Sequence, residues 1–197
     1  MERPTAFVSD PPPSPPVTAA YDADVESDGY VSNFTRLWCW RPDVFTAFAT
    51  LRADLMADSS LSPREFAVMV ASAAAARGDS YCALAWGQKL AALSDDATAA
   101  GVLQGHDADL SGREAALMDW SRRVIGDPNA TSEADVERLR EAGLTDREIF
   151  EATTWIALRF AFSTINDALG AQPDRQLAED VPQLVREAVT FGRPSAP

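Results

Sequence analysis

Three short stretches of the chain repeat one pattern: "LSPRE" at 61–65, "LSGRE" at 110–114 and "LTDRE" at 144–148. Each reads S/T-x-x-E at the head of an amphipathic run, the signature of a capping box. The hydroxyl of Ser62, Ser111 or Thr145 accepts from the N3 amide, while Glu65, Glu114 or Glu148 reaches back to the cap's own N–H. With three helix starts so alike, and no convincing alternation of apolar and polar residues, the expected fold is all-α with seven or eight helices. Pro42, in "RPDVFTAFATLRADLM", suits the first turn of another helix. "TSEADVERLREAG" reads as a short amphipathic helix closed by Gly143. Phe66, Met69, Val70 and Ala73 follow i, i+3, i+4, i+7 spacing, so one stripe of their helix should face the core. "REIFEATTWIALRFAFSTINDALG" is apolar on nearly every face, which predicts a helix buried against neighbours or against a partner subunit.

The chain has 197 residues, 46% of them hydrophobic, enough for one ordinary core. A single helical domain over residues 29–192 is expected. Residues 1–28 contain "DPPPSPP" and an acidic run, and are expected to form a flexible or surface-draped arm; residues 193–197 are expected to fray. The formal charge of −13 repels phosphate backbones and anionic headgroups, which disfavours nucleic acid and membrane partners. "MERPTAFVSD" has no apolar h-region and no segment approaches the length of a membrane helix, so a cytoplasmic location is expected. Cys39 and Cys82 are too few for a secreted disulfide scaffold, although one bridge between them stays open. His106 is the only histidine and lies in a polar, turn-rich segment, which leaves too few ligands for an ordinary zinc site and no ready histidine triad. The one lysine, Lys89, sits in a helical pattern where a snorkelling surface role is the common one. No Walker loop or Rossmann glycine fingerprint is present, and no cofactor or metal is expected.

Chemistry concentrates in "RGDSYCALAWGQ", residues 77–88, where Asp79 stands three positions before Cys82 and Trp86 four positions after it. The helix order, together with "LSPREFAVMVASAAAARGDSYC", resembles the AhpD-like and carboxymuconolactone decarboxylase superfamily, in its peroxidase-related branch. The likeness runs from "GYVSNF" at 29, through "LSGREAALMDWSRRVIGDP" and "TSEADVERLREAGLTDREIFEAT", to "INDALG" ending at 170, about three quarters of the chain. The resemblance implies an all-helical bundle that assembles as a homo-oligomer. It also implies a reaction centre made of a glutamate, a C-x-x-C pair at a helix start and a histidine. A helix N-terminus and a nearby base make one thiol acidic enough to attack peroxide, and a resolving thiol captures the sulfenic acid. Aligned without gaps, the glutamate position is Ala67, the first cysteine Asp79, the second Cys82 and the histidine Trp86. Tyr81 matches a common residue of the motif. Ser163 and Thr164 stand where many members have an Asn-Arg pair, and no function is carried onto them.

Asp79 and Cys82 are therefore the candidate catalytic residues, with Ala67, Tyr81, Trp86, Trp155 and Arg159 as candidate pocket residues. Each also has a structural explanation. Asp79 is a favoured N-cap, Cys82 a small buried thiol, Trp86 a cavity filler, and Arg159 a snorkelling or interface-pairing side chain. The functional readings beside these are Asp79 as a general base, Trp86 with Trp155 as an aromatic wall for a flat ligand, and Arg159 as a bidentate clamp on an anionic ligand. Three functions stay open: a bundle without its dithiol centre turned to another small-molecule reaction, a single-cysteine oxidoreductase using Cys82, or a non-enzymatic ligand-binding or assembly protein.

Overall fold

In the computed structural model, which describes residues 5–107 and 109–197, eleven α-helices and no strand are found among those residues. They are α1 (Pro15–Asp28), α2 (Asn33–Trp38), α3 (Pro42–Ala57), α4 (Pro63–Arg77), α5 (Ser80–Leu93), α6 (Asp96–Gln104), α7 (Gly112–Gly126), α8 (Glu133–Glu141), α9 (Asp146–Ala168), α10 (Arg175–Asp180) and α11 (Gln183–Ala188). Eight of them are seven residues or longer, and the other three are short.

All three capping boxes form, at the starts of α4, α7 and α9. The arginine inside the second motif then ties the boxes to one another. Arg113 Nε donates to Glu65 Oε1 at 2.5 Å and its Nη2 to Glu148 Oε1 at 2.6 Å, while Nη1 donates to the Gly143 carbonyl at 2.8 Å. Arg64, from the first motif, pairs with Glu114 of the second at 2.8 Å. Each glutamate thus satisfies an orphan amide of its own helix and a cation from a neighbouring one.

Helix α4 is the centre of the bundle, packed against α5, α6, α7 and α9. Its predicted stripe of Phe66, Met69, Val70 and Ala73 is buried, but so is every residue from Glu65 to Ala74. The small side chains of "ASAAAA" leave no bulk on the far side, so neighbours close in around the whole helix rather than on one face. Two core clusters result. One gathers α5, α6 and α11 around Leu90, Leu103 and Val185, the other gathers α7 and α9 around Phe66, Leu117 and Ile156, and Trp86 packs against both.

The N-terminal arm, of which residues 1–4 lie outside the described residues, contains a helix. Residues 15–28 form a helix because Pro15 and Pro16 occupy its first turn, where a missing N–H costs nothing. Val17 of α1 is buried, Asp24 accepts from the Ser32 amide at 2.9 Å, and Gly29, at φ +82°, closes the helix. The C-terminal tail is also held rather than frayed: Ser80 Oγ donates to the Arg193 carbonyl at 2.7 Å and the Ala196 amide to the Pro173 carbonyl at 2.8 Å. Helix α9, expected to be buried all round, buries one face through Ile149, Ala152, Trp155, Ile156 and Phe162 and leaves Phe150, Phe160 and Ile165 exposed.

The Arg113 node is a testable source of stability. Burial works to raise the Glu148 pKa, but hydrogen bonds from Thr145, Ser60 and Arg113 outweigh it and hold the value at about 2, against 4.5 for the unperturbed group. A folded value below the unfolded one means that this stabilisation is complete above about pH 4.5 and is lost as the pH falls towards about 2. Arg113→Met strands Glu65 and Glu148, and the expected loss in urea melts at neutral pH is about 2–3 kcal/mol, tempered by the partial exposure of Arg113. That loss should shrink as the pH falls through the same window. A pH-independent loss, or one under about 0.5 kcal/mol, contradicts the role given to the node.

Candidate functional site

The turn between α4 and α5 places the candidate residues. Gly78, at φ +70°, caps α4 by donating to the Ala74 and Ala75 carbonyls, a conformation that a side chain would strain. The next residue, Asp79, has extended backbone and becomes the N-cap of α5: its Oδ1 accepts from the Cys82 amide at 2.9 Å. Asp79 is only 2% exposed, and its Oδ2 has no hydrogen bond of good geometry among the described residues.

Cys82 follows in the first turn of α5 and is 4% exposed. Its Sγ lies 3.3 Å from Ser163 Oγ, and Arg159 Nη2 donates to it at 3.4 Å. Burial pushes the thiol up to about 12 and the Asp79 charge adds to the rise; Arg159 and Ser163 pull it down without compensating. Cys82 is therefore a protonated thiol at neutral pH. Cys39, at the end of α2, is also buried, and both cysteines are free.

Arg159 is 7% exposed and does not snorkel. Its guanidinium carbon sits 5.1 Å from the Trp86 ring centre and 4.9 Å from that of Phe162, and its Nε has no hydrogen-bond partner. Trp86 meets Trp155 edge to face at 5.9 Å, and Trp155, itself buried, meets Phe66 at 5.0 Å. The exposed Lys89 lies over Trp86 at 4.8 Å. Ala67 is fully buried in the same core cluster as Cys82 and supplies no polar atom. Tyr81 belongs elsewhere: its hydroxyl is bonded to Asp174, which also accepts from the Asn33 amide at 2.8 Å. His106 lies exposed on the surface after α6.

Three residues of this neighbourhood carry no role in the sequence reading. Ser163 contacts the thiol. Asp167 is raised to about 6 by burial and by the Asp79 charge, against the pull of Arg193 and Arg77. Arg52, half-buried on α3, lies 5.2 Å from the rings of both Phe48 and Phe162, and its pKa is pushed down to about 10 by burial and by the charge of Arg159. A signal for two of them exists, because Arg159, Ser163 and Asp167 stand at i, i+4, i+8 and so share one helical face. Arg52 offers no such signal.

A cavity of about 10 Å³ beside Arg159 and Ser163, lined also by Val70, Arg77 and Phe160, has room for one water. Larger hollows, such as the one between Asp119, Arg123, Asp135 and Arg138, lie away from Cys82. Among the described residues no three His, Cys, Asp or Glu side chains gather as metal ligands, and no helix is long and apolar enough to cross a membrane.

No protein-family model and no curated protein matches the chain. Solved structures do. A peroxidase-related protein with an alkylhydroperoxidase AhpD core, from Ralstonia eutropha JMP134, superposes with a TM-score of 0.79 at 25% identity, over 89% of this chain and 95% of that one. A peroxidase-related protein from Silicibacter sp. TM1040 gives 0.79 at 20% identity, covering 90% and 96%. The debrominase Bmp8, in complex with 2,3,4-tribromopyrrole, gives 0.73 at 14% identity, covering 91% and 96%. The helix order and the likeness to the AhpD core agree along nearly the whole length, so the chain has the AhpD-like fold of these peroxidase-related proteins.

Proposed function

We propose that this is an AhpD-like protein without the dithiol peroxidase centre, in which the cluster of Asp79, Cys82 and Arg159 serves proton transfer on a small molecule. What supports this is the setting of the one thiol in the cluster: Cys82 is buried, with its pKa pushed up by burial and by Asp79, beside a carboxylate whose Oδ2 has no partner among the described residues. Peroxide reduction by a thiol needs an accessible thiolate, and dithiol turnover needs a second sulfur one turn away. Position 79 supplies a carboxylate instead. Asp79 is the acid or base, Cys82 is a secondary hydrogen-bonding partner, and Trp86 backed by Trp155 is the wall for a flat substrate. A single-cysteine oxidoreductase meets the same obstacle in the raised thiol pKa. A purely structural role accounts less well for Arg159 and Asp79, each with a polar atom left unpartnered, gathered with Ser163 around Cys82. The debrominase of the same fold, solved with a small flat molecule, also supports small-molecule chemistry for this bundle.

We also infer a homo-oligomer. Helix α3 buries none of its residues, and Val44 and Leu51 on it remain exposed together with Phe150, Phe160, Ile165 and Leu169 in and just after α9. Apolar surface of this kind marks an interface between chains.

Three outcomes are expected. In a Cys39→Ser background, hydroperoxide consumption with dithiothreitol should be no faster than in Cys82→Ser; brisk consumption lost on that replacement contradicts the proposal. Asp79→Asn removes a charge that disfavours the thiolate, so iodoacetamide should label Cys82 about tenfold faster in that variant, and an unchanged rate contradicts the electrostatic account. Light scattering behind size exclusion should give a dimer or larger, dissociated by Leu51→Glu; a monomer at tens of micromolar argues against the oligomer.

A further inference from the structure

Beside the candidate site, Arg52 and Arg159 are cations partly or almost wholly withdrawn from water with no carboxylate paired to them among the described residues. Arg159 is 7% exposed and its one hydrogen bond runs to sulfur; Nε is without a partner. Arg52 is half-buried and its Nε is likewise without a partner. Other arginines here, such as Arg113 and Arg147, each hold two carboxylates. Asp79 is turned to the Cys82 amide rather than to either guanidinium. Aromatic faces partly replace the missing anion, since both guanidiniums lie against Phe162, with Trp86 beside one and Phe48 beside the other. A buried guanidinium keeps several donors in a planar fork suited to a carboxylate, and leaving them empty is expensive.

We propose that Arg52 and Arg159 form a clamp for the carboxylate of a planar aromatic small molecule, with its ring lying among Trp86, Phe162 and Phe48. This names the substrate class of the cluster described above and rests on reading that cluster as a small-molecule site. The carboxylate neutralises two charges that both lie against the Phe162 ring; burial first, and the charge of Arg159 second, already lower the pKa of Arg52. The cavity beside Arg159 and Ser163 is too small for such a ring. Entry therefore requires Arg52 and Phe48, both half-buried on α3 against Phe162, to turn aside and admit the ring. The aromatic wall excludes water from the ion pair, and the ring presents its substituents towards Cys82 and Asp79.

The test is a calorimetric titration of the full-length protein with benzoate and with benzamide, which is isosteric and neutral. Benzoate is expected to bind about tenfold or more tightly than benzamide, and Arg52→Met and Arg159→Met should each weaken benzoate about tenfold while leaving benzamide unchanged. Arg52 lies on a helix that buries nothing, so Arg52→Met stays informative if Arg159→Met fails to fold. Asp79→Asn should retain benzoate binding, so a failure of the clamp is separable from a failure of the acid–base role. Equal affinity for the two probes, full benzoate binding by Arg52→Met, or no benzoate binding by the wild-type protein at about 50 mM overturns the proposal.

Discussion

The bundle depends on one arginine holding together three helix starts. Arg113 bridges the capping glutamates of α4 and α9 from the first turn of α7, so these helices set out from a common level at one end of the molecule. What lies at the other end follows from helix rise. Fourteen residue steps carry α4 from Pro63 to Arg77, and thirteen carry α9 from Asp146 to Arg159, each roughly 20 Å at about 1.5 Å per residue. The end of α4, the cap of α5 and the Arg159 face of α9 thus meet at one height, and Arg159 reaches Cys82 across that level. The ion-pair node and the candidate site are opposite ends of the same two rods.

At the site end, one side chain sets both local structure and chemistry. A carboxylate at position 79 caps α5, a stabilisation of about 1 kcal/mol over alanine. The same negative charge works against ionisation of the thiol one turn on, reversing what a helix N-terminus does for a cysteine. Arg159 supplies the opposing positive charge, yet burial and Asp79 prevail.

The parts of this structure that were legible in the sequence are those governed by local rules. The capping boxes, the Pro42 start, the Gly143 stop and the apolar stripe of α4 all depend on residues within one or two turns. Helix α1 is hard to foresee because its proline-rich start reads like an arm, although proline is an acceptable first-turn residue. The tail was misread because its anchor is non-local, the Ser80 hydroxyl lying 113 positions from Arg193. Within the site, Asp79, Cys82, Trp86, Trp155 and Arg159 do converge, whereas Tyr81 turns to Asp174 instead. Ser163, singled out in the sequence without a role, and Arg52, not singled out at all, are hard to read because a hydroxyl or a guanidinium in a helical run ordinarily marks a solvent face. Only the packing of α3 and α5 on α9 turns them inward.

The central claim is that the surviving thiol of the cluster is kept neutral by its surroundings, and the most direct measurement is its ionisation. In the Cys39→Ser protein, thiolate absorbance near 240 nm followed against pH should show no ionising thiol up to about pH 9, past the value of about 8.5 for a free cysteine. One equivalent of thiolate appearing between about pH 6 and about pH 8 contradicts the account and returns Cys82 to the class of reactive nucleophiles.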